Sequence, residues 1–351
     1  MILDNLFQLM AEKQASDLYI SAGTPIHIKI QGTVMPVNQQ IMTPEITEKI
    51  AYELMTPAQA KVFEDTMEMN ISFSIPGTGN YRINFFRQRS SIGIVVRYIQ
   101  SIIPALDTLL LPSVLTELIM EKRGLILIVG ATGSGKSTTI ASMLDYRNIN
   151  RSGHILTIED PIEFLFKHKK SIVNQRELGM DTHGWGQALS NAMRQAPDCI
   201  LIGEIRDKET MQAAIAYAQT GHLCLATMHA NNSYHALNRI VNFFPLENRT
   251  ALYLDLSASL KAIISQRLVK RPDGQRIPAA EVLLNTRHIQ ELVERGEIQG
   301  VKEANKAWRQ DHKLSNRIFS AFTVKAQSRW MKPWPMQIRP PICRGSSTTR
   351  K

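Results

Sequence analysis

Nine residues, Gly130-Ala131-Thr132-Gly133-Ser134-Gly135-Lys136-Ser137-Thr138, constrain this chain more than any others. They fit the phosphate-cradling pattern G-x-x-x-x-G-K-[ST]. Their flanks matter as much as the match. Leu125-Ile126-Leu127-Ile128-Val129 precedes them as a short apolar run of the kind that forms a buried parallel strand, and Thr139 to Leu144 follows with the character of a helix start. Glycines in such a loop let backbone N–H groups turn toward phosphate oxygens with no Cβ in the way, and the helix start adds partial positive charge at the same point. In this pattern Lys136 reaches the β- and γ-phosphates and Ser137 binds Mg²⁺. The alternative is a glycine-rich turn that happens to carry a lysine.

The rest of the chain is that of an ordinary folded protein long enough for two domains, with 44% hydrophobic and 21% charged residues among 351. No apolar run approaches the ~20 residues of a membrane span, and Met1 to Leu6 does not read as a secretory signal. Cys199, Cys224 and Cys343 lack metal-ligand spacing, and the first two lie in apolar runs, which fits a reducing cytoplasm. The net charge of +10 suggests nucleic acid until it is located. Residues 301–351 hold 12 Lys/Arg and 2 Asp/Glu, leaving 29 of each sign in the first 300 residues. The body is formally neutral and carries no basic stripe, so a nucleic-acid partner is not expected. Three of the four tryptophans, Trp308, Trp330 and Trp334, share the basic tail.

Periodicity divides the chain. Residues 2–14 predict an amphipathic helix; 17–20 and 26–30 read as strands; Thr43-Pro44 and Thr56-Pro57 open helices. Residues 71–75, 81–86 and 92–99 alternate like antiparallel strands. This is an α+β unit over 1–99. Residues 100–112, with Pro104 and Pro112, read as a linker. From 113 the pattern becomes strand–helix alternation, with strands at 125–129, 154–158, 171–174, 199–202 and 222–227. It predicts a parallel sheet with helices on both faces.

Three further clusters lie at or near strand carboxyl ends, where open α/β sheets bind ligands. Glu159-Asp160-Pro161-Ile162-Glu163 brings carboxylates suited to Mg²⁺ or to activating water, or is simply a solvated acidic loop. Glu204 closes the run Cys199 to Gly203, where nucleotide hydrolases place a metal- or water-orienting carboxylate; otherwise it is a surface glutamate after a strand. His229 ends the run from Leu223 and can hydrogen-bond a γ-phosphate. His222 could do likewise, although a satisfied histidine at the strand start is the preferred reading. Arginines that could neutralise transition-state charge are Arg82, Arg97, Arg194 and Arg206, which sequence alone does not rank.

Taken in order, phosphate loop, acidic box Glu159 to Phe164, Gly203-Glu204 and histidine box Thr220 to Asn232 resemble the secretion-superfamily ATPases that drive type IV pili. Ala15-Ser16-Asp17-Leu18, Tyr146-Arg147-Asn148, Arg194 to Asp198 and Glu281 to Thr286 are similar to the twitching-motility retraction motors of the PilT family, nearest its PilU branch. The resemblance covers about residues 1–300. It implies an α/β chain in which a RecA-like P-loop NTPase domain (113–304) is preceded by a smaller PAS-like α+β domain. It implies an ATPase that binds ATP and Mg²⁺ and forms a homo-hexamer. It implies a cytoplasmic protein, peripheral at the inner membrane, pulling on a pilus platform protein and working with a paralogous retraction motor. Glu163 would be the catalytic base, Glu204 would act with Mg²⁺ and water, and His229, with less support His222, would sense the γ-phosphate. Arg82 and Arg97 would reach the nucleotide from the first domain. A non-catalytic nucleotide-binding accessory is the alternative, against which Lys136, Glu163 and Glu204 stand.

The tail departs from that family. After about residue 304 the expected Gln-Thr-Phe stretch and Ala-Asp-Ser ending are missing. Yet Trp330 to Ile338 can be encoded by bases that in a shifted frame give Asp-Glu-Ala-Leu-Ala-Asn-Ala-Asp-Ser, and His312 to Ile318 by bases that give Ser-Gln-Thr-Phe-Glu-Gln-Asn. Residues 305–351 are therefore expected to be a frameshifted tail.

Overall fold

The computed structural model describes residues 2–75, 78–99, 102–270 and 276–311. The helix expected near the N-terminus is α1 (Ile2–Glu12). Strands β1 (Asp17–Ile20), β2 (His27–Ile30) and β3 (Thr33–Pro36) form a meander. Helices α2 (Pro44–Leu54) and α3 (Pro57–Thr66) follow, each with proline in its first turn behind a capping threonine. Thr43 accepts from the Ile46 N–H, and Thr56 forms a reciprocal box with Gln59. Strands β4 (Glu68–Ile75), β5 (Gly79–Gln88) and β6 (Ser91–Ile99) complete a six-stranded antiparallel sheet of order β3-β2-β1-β6-β5-β4. Its inner face carries Leu18, Ile20, Tyr81, Ile83, Phe85, Ile94 and Val96, packed with Phe7, Met10, Ala51 and Phe63 from the three helices. The buried Tyr81 hydroxyl donates to the Phe7 carbonyl at 2.7 Å, which answers its hydrogen-bonding need inside this core.

The described part of the stretch read as a linker, 102–112, touches the second sheet's helices at two points. It contains a single 3-10 turn, Leu106–Leu109, with Leu106 buried, and the Pro104 carbonyl accepts from the Ser142 hydroxyl. It leads into α4 (Val114–Ile119) and the second sheet. That sheet comprises β7 (Gly124–Val129), β8 (Gly153–Glu159), β9 (Ser171–Glu177), β10 (Cys199–Ile202), β11 (Leu223–Met228), β12 (Leu260–Lys270) and β13 (Arg276–Leu284), in the order β13-β12-β7-β11-β10-β8-β9. Six of its strands are parallel, and only β13 runs against its neighbour. All five strands expected from the sequence are present, whereas β3, β12 and β13 were not foreseen. All six residues of β7 are buried, although successive side chains point to opposite faces, so both faces are covered. Helices α5 (Lys136–Asn150), α6 (Trp185–Ala192), α7 (Lys208–Gln219), α8 (Ser233–Asn242), α9 (Arg249–Ser259), α10 (Arg287–Glu294) and α11 (Ile298–Asp311) make up the rest. Cys199 and Cys224, in the middle of this sheet, are free and fully buried. The frameshifted tail expected from residue 305 lies outside the described residues from 312 onward. No helix among the described residues is long and apolar enough to cross a membrane.

Helix α4 ends against α5 in an unusual way. Arg147 Nη1 donates to the carbonyls of Ile119 (2.6 Å) and Glu121 (2.9 Å), and Arg151, one turn on, donates to Met120 (3.0 Å). Two cations, Arg147 on α5 and Arg151 just past its end, thus satisfy three consecutive carbonyls at a helix C-terminus, where the dipole favours positive charge. Arg147 is 1% exposed. Replacing it by Met should leave two buried acceptors unanswered and cost about 3 kcal/mol, read as a lower denaturant midpoint at unchanged slope.

Candidate nucleotide site

The strand order decides which loops meet. From β7 the chain crosses to β8, and β11 and β10 later fill the gap, so the tips of β7, β11, β10 and β8 stand side by side. At strand spacings of ~4.8 Å these four tips span roughly 14 Å. They bring together the phosphate loop, His229, Glu204 and Glu159 to Glu163, around a cavity of about 490 Å³. That size suits a nucleotide. Phe164 and Thr227, from the acidic and histidine boxes, add walls, as do Phe166 and Leu268, which the sequence did not mark.

The loop fits a phosphate chain on its own geometry. Gly133 and Gly135 have φ of +73° and +86°, the left-handed region that lets consecutive N–H groups converge. A Cβ on Gly130 would lie 2.5 Å from the Gln266 carbonyl oxygen and from Ser134 Oγ, so no side chain fits there. Ser134 Oγ is buried without a hydrogen-bond partner among the described residues. Lys136 Nζ is folded onto the carbonyls of Gly130 (2.9 Å) and Ala131 (3.1 Å). Burial holds its ammonium below the ordinary lysine range, opposed by the carboxylates of Glu204 and Glu163. Gln266, on β12, fixes the loop from beneath: it accepts from Thr139 Oγ1 at 2.8 Å and donates to the Ser134 carbonyl at 3.0 Å.

The acidic groups are equally ordered. Ser137 Oγ donates to Glu163 Oε1 at 2.8 Å. Glu204 has Arg206 Nε at 2.6 Å on one oxygen and His229 Nε2 at 3.2 Å from the other; Arg206 also lies 3.5 Å from Asp160. Among the described residues no group of three or more His, Cys, Asp or Glu forms a metal cluster by itself. Mg²⁺ commonly completes its octahedron with substrate phosphates and water, and Ser137 with Glu204 fits that mode. Burial pushes the Glu159 carboxyl up to about 7, against hydrogen bonds from Thr157 and Gln175 and helped by the carboxylates of Glu163 and Glu177.

Lys136, Ser137, Glu163, Glu204 and His229 all line the cavity. Arg82 and Arg97 do not. They face each other across β5 and β6, and each is held by a carboxylate: Arg82 Nη1 lies 3.2 Å from Glu177, and Arg97 Nε 3.0 Å from Asp17. His222 is at the opposite end of β11, its Nδ1 beside the Tyr217 carbonyl and the Thr220 hydroxyl. Six residues of strand put it roughly 20 Å from the cavity, so the satisfied-histidine reading is the one the geometry matches. Arg194 belongs to a separate hollow lined by Arg176, Thr182 and His183.

The family model described as "Type II/IV secretion system protein" matches residues 1–305. The chain belongs to that family. Within the type II/IV secretion family it is similar to the type IV pilus ATPase PilU of Pseudomonas aeruginosa, 48% identical over 86% of this chain and 79% of the relative. It is also similar to the type IV pilus retraction ATPase PilT of the same organism, 41% identical over 84% of this chain and 85% of the relative. The crystal structure of the pilus retraction motor PilT with bound ADP superposes with a TM-score of 0.80 at 41% identity, covering 85% of this chain and 88% of that one. The architecture is accordingly the family's: an N-terminal α+β domain ahead of a RecA-like ATPase domain. The residues that sequence reasoning missed, Gln266, Gln175 and Glu177, act through long-range contacts and carry no local motif.

Glu159 gives a pH test. Its folded value lies above the unfolded value of about 4.5, so between roughly pH 4.5 and 7 the folded chain holds the extra proton. The stability this group contributes is full below 4.5 and lost as pH rises through 7. Glu159→Gln should therefore be more stable than the parent at pH 8, with the difference vanishing toward pH 5, as read by unfolding midpoints across that range.

Proposed function

We propose that this chain is an ATP-hydrolysing motor of type IV pilus retraction, by likeness to a type IV pilus ATPase, PilU, and a type IV pilus retraction ATPase, PilT. One observation carries the reading: Lys136, Ser137, Glu163, Glu204 and His229, from four separate segments, line a single cavity at neighbouring strand tips. The amides of 130–138 would hold the phosphates, with Lys136 leaving its two carbonyls to reach the β- and γ-phosphates. Ser137 and Glu204 would hold Mg²⁺, which when bound neutralises charge on the β- and γ-oxygens. Glu163, released from the Ser137 hydroxyl, would take the proton of the attacking water. Glu204 would orient that water, and His229, against Glu204, would respond to the γ-phosphate. Arg82 and Arg97 would add positive charge from the first sheet after exchanging Glu177 and Asp17 for phosphate.

The assembly belongs to the same proposal. Residues 1–99 form the first domain, 100–112 the connection and 113–304 the ATPase domain, six copies making a ring at the cytoplasmic face of the inner membrane. The ring would pull on a membrane platform protein and work beside a paralogous retraction motor. Neither nucleic acid nor direct lipid insertion is part of it.

Glu204→Gln should lower ATP turnover at least ~100-fold while leaving binding of a non-hydrolysable analogue within about threefold. Lys136→Ala should weaken that binding itself and abolish surface motility in a strain that depends on this chain. Normal turnover in Glu204→Gln, or normal retraction with expressed Lys136→Ala, contradicts the motor reading.

A further inference from the structure

Strand β9 lies at the sheet edge, away from the phosphate loop, yet two of its side chains grip the acidic loop on both sides of Glu163. Glu177 Oε2 accepts from the Ile162 N–H at 3.0 Å. Gln175 accepts from the Phe166 N–H at 2.9 Å and donates to the Phe164 carbonyl at 2.8 Å. The backbone is thus anchored at the residue before Glu163, at the residue after it and again two residues on. Gln175 and Glu177 are two apart on a strand, so both project from one face toward the loop. The parallel register sets Gln175 against Thr157 and Glu177 against Glu159, which places both at the end of β8 from which the loop departs.

Glu177 is 3% exposed, and a carboxylate so placed needs charge compensation. Arg82 supplies it, 3.2 Å from Oε1, from the first sheet. The Ile162 amide hydrogen-bonds Oε2 and the Arg82 guanidinium pairs with Oε1 by charge alone, and both groups are donors only. Only a group with two acceptor oxygens serves both at once. A glutamine, with one acceptor and one donor, must turn its NH₂ toward one of them.

We propose that Glu177 and Gln175 are positioning residues for the catalytic loop, and that the buried Glu177–Arg82 pair, present until Arg82 exchanges Glu177 for phosphate, ties the alignment of Glu163 to where the first sheet holds its arginine. This rests on the assignment of Glu163 as the base. It adds to that assignment two residues that touch neither nucleotide nor water and act only through the backbone that carries Glu163.

The test uses the full chain and compares ATP turnover, affinity for a non-hydrolysable ATP analogue and thermal midpoint in Glu177→Gln, Gln175→Met, Glu163→Gln and the Glu177→Gln/Glu163→Gln double variant. Misplacing a reacting group by ~1 Å can cost up to about 100-fold in rate. Glu177→Gln and Gln175→Met should each lower kcat by roughly tenfold or more, with KM and analogue affinity within about twofold. Glu177→Gln should not lower the residual single-turnover rate of Glu163→Gln any further, because the group it positions is already gone. Gln175→Met stands in if Glu177→Gln does not fold. Wild-type kcat in a folded Glu177→Gln or Gln175→Met overturns the proposal, as does an equal loss on the Glu163→Gln background. A wild-type rate in Glu163→Gln removes the base assignment and this inference with it. An inactive Glu163→Gln beside an unimpaired Glu177→Gln removes this inference alone.

Discussion

The phosphate loop keeps its shape because Gln266, a buried amide on β12, ties the middle of the loop to the helix that follows it. The acceptor of Gln266 takes the Thr139 hydroxyl in the first turn of α5, and its donor takes the Ser134 carbonyl inside the loop. The Gln266 backbone oxygen also closes off the space at Gly130. Every other part of the site is referred to this anchor. The loop's height above β7 decides where Lys136 and Ser137 stand, and Ser137 in turn meets Glu163. A loop free to move would leave the carboxylates after β8 and β10 with nothing fixed to face.

Charge crowding is the second constraint. Glu159, Glu163 and Glu204 line one cavity, and Glu177 lies just behind it. Several like charges in a half-buried space are tolerated because each has a separate answer. Glu204 has Arg206 and His229, Glu177 has Arg82, Glu163 has the Ser137 hydroxyl, and Glu159 has Thr157 and Gln175 together with a raised proton affinity. Lys136 is the cation at the centre of this set, its charge weakened by burial and supported by Glu204 and Glu163. The arrangement is built around a positive charge that has lost part of its water before any phosphate is considered.

Much of this was legible from residues alone, for a physical reason. A parallel strand buried on both faces is a continuous apolar run, so β7, β10 and β11 announced themselves, and the segments that follow them line the cavity. The glycines of the loop were readable because positive φ and a filled Cβ position are local requirements. What was not readable depends on residues far apart in the chain. Strands β12 and β13 show no such buried run at their outer ends, where β12 changes from buried to exposed and β13 is mostly half-buried. Gln266 sits between Ser265 and Arg267 in a polar stretch of β12, and nothing in its neighbourhood says that Thr139 lies opposite. Arg82 and Arg97 were picked out as charges for the nucleotide. Their cross-strand pairing, and the carboxylates that hold them, appear only once β1, β5 and β6 are laid side by side and β9 is brought against the first sheet.

The two thiols at the heart of the second sheet have their own use. Cys199 and Cys224 lie on adjoining strands with no exposed surface, and burial pushes both upward, Cys199 to about 11. Neither is a thiolate at neutral pH, and neither can be touched by an alkylating reagent while β10 and β11 stay paired. Once Cys343 is replaced by serine, the rate at which such a reagent consumes these two sulfurs becomes a clock for the opening of the ATPase core, with no dye or tag added.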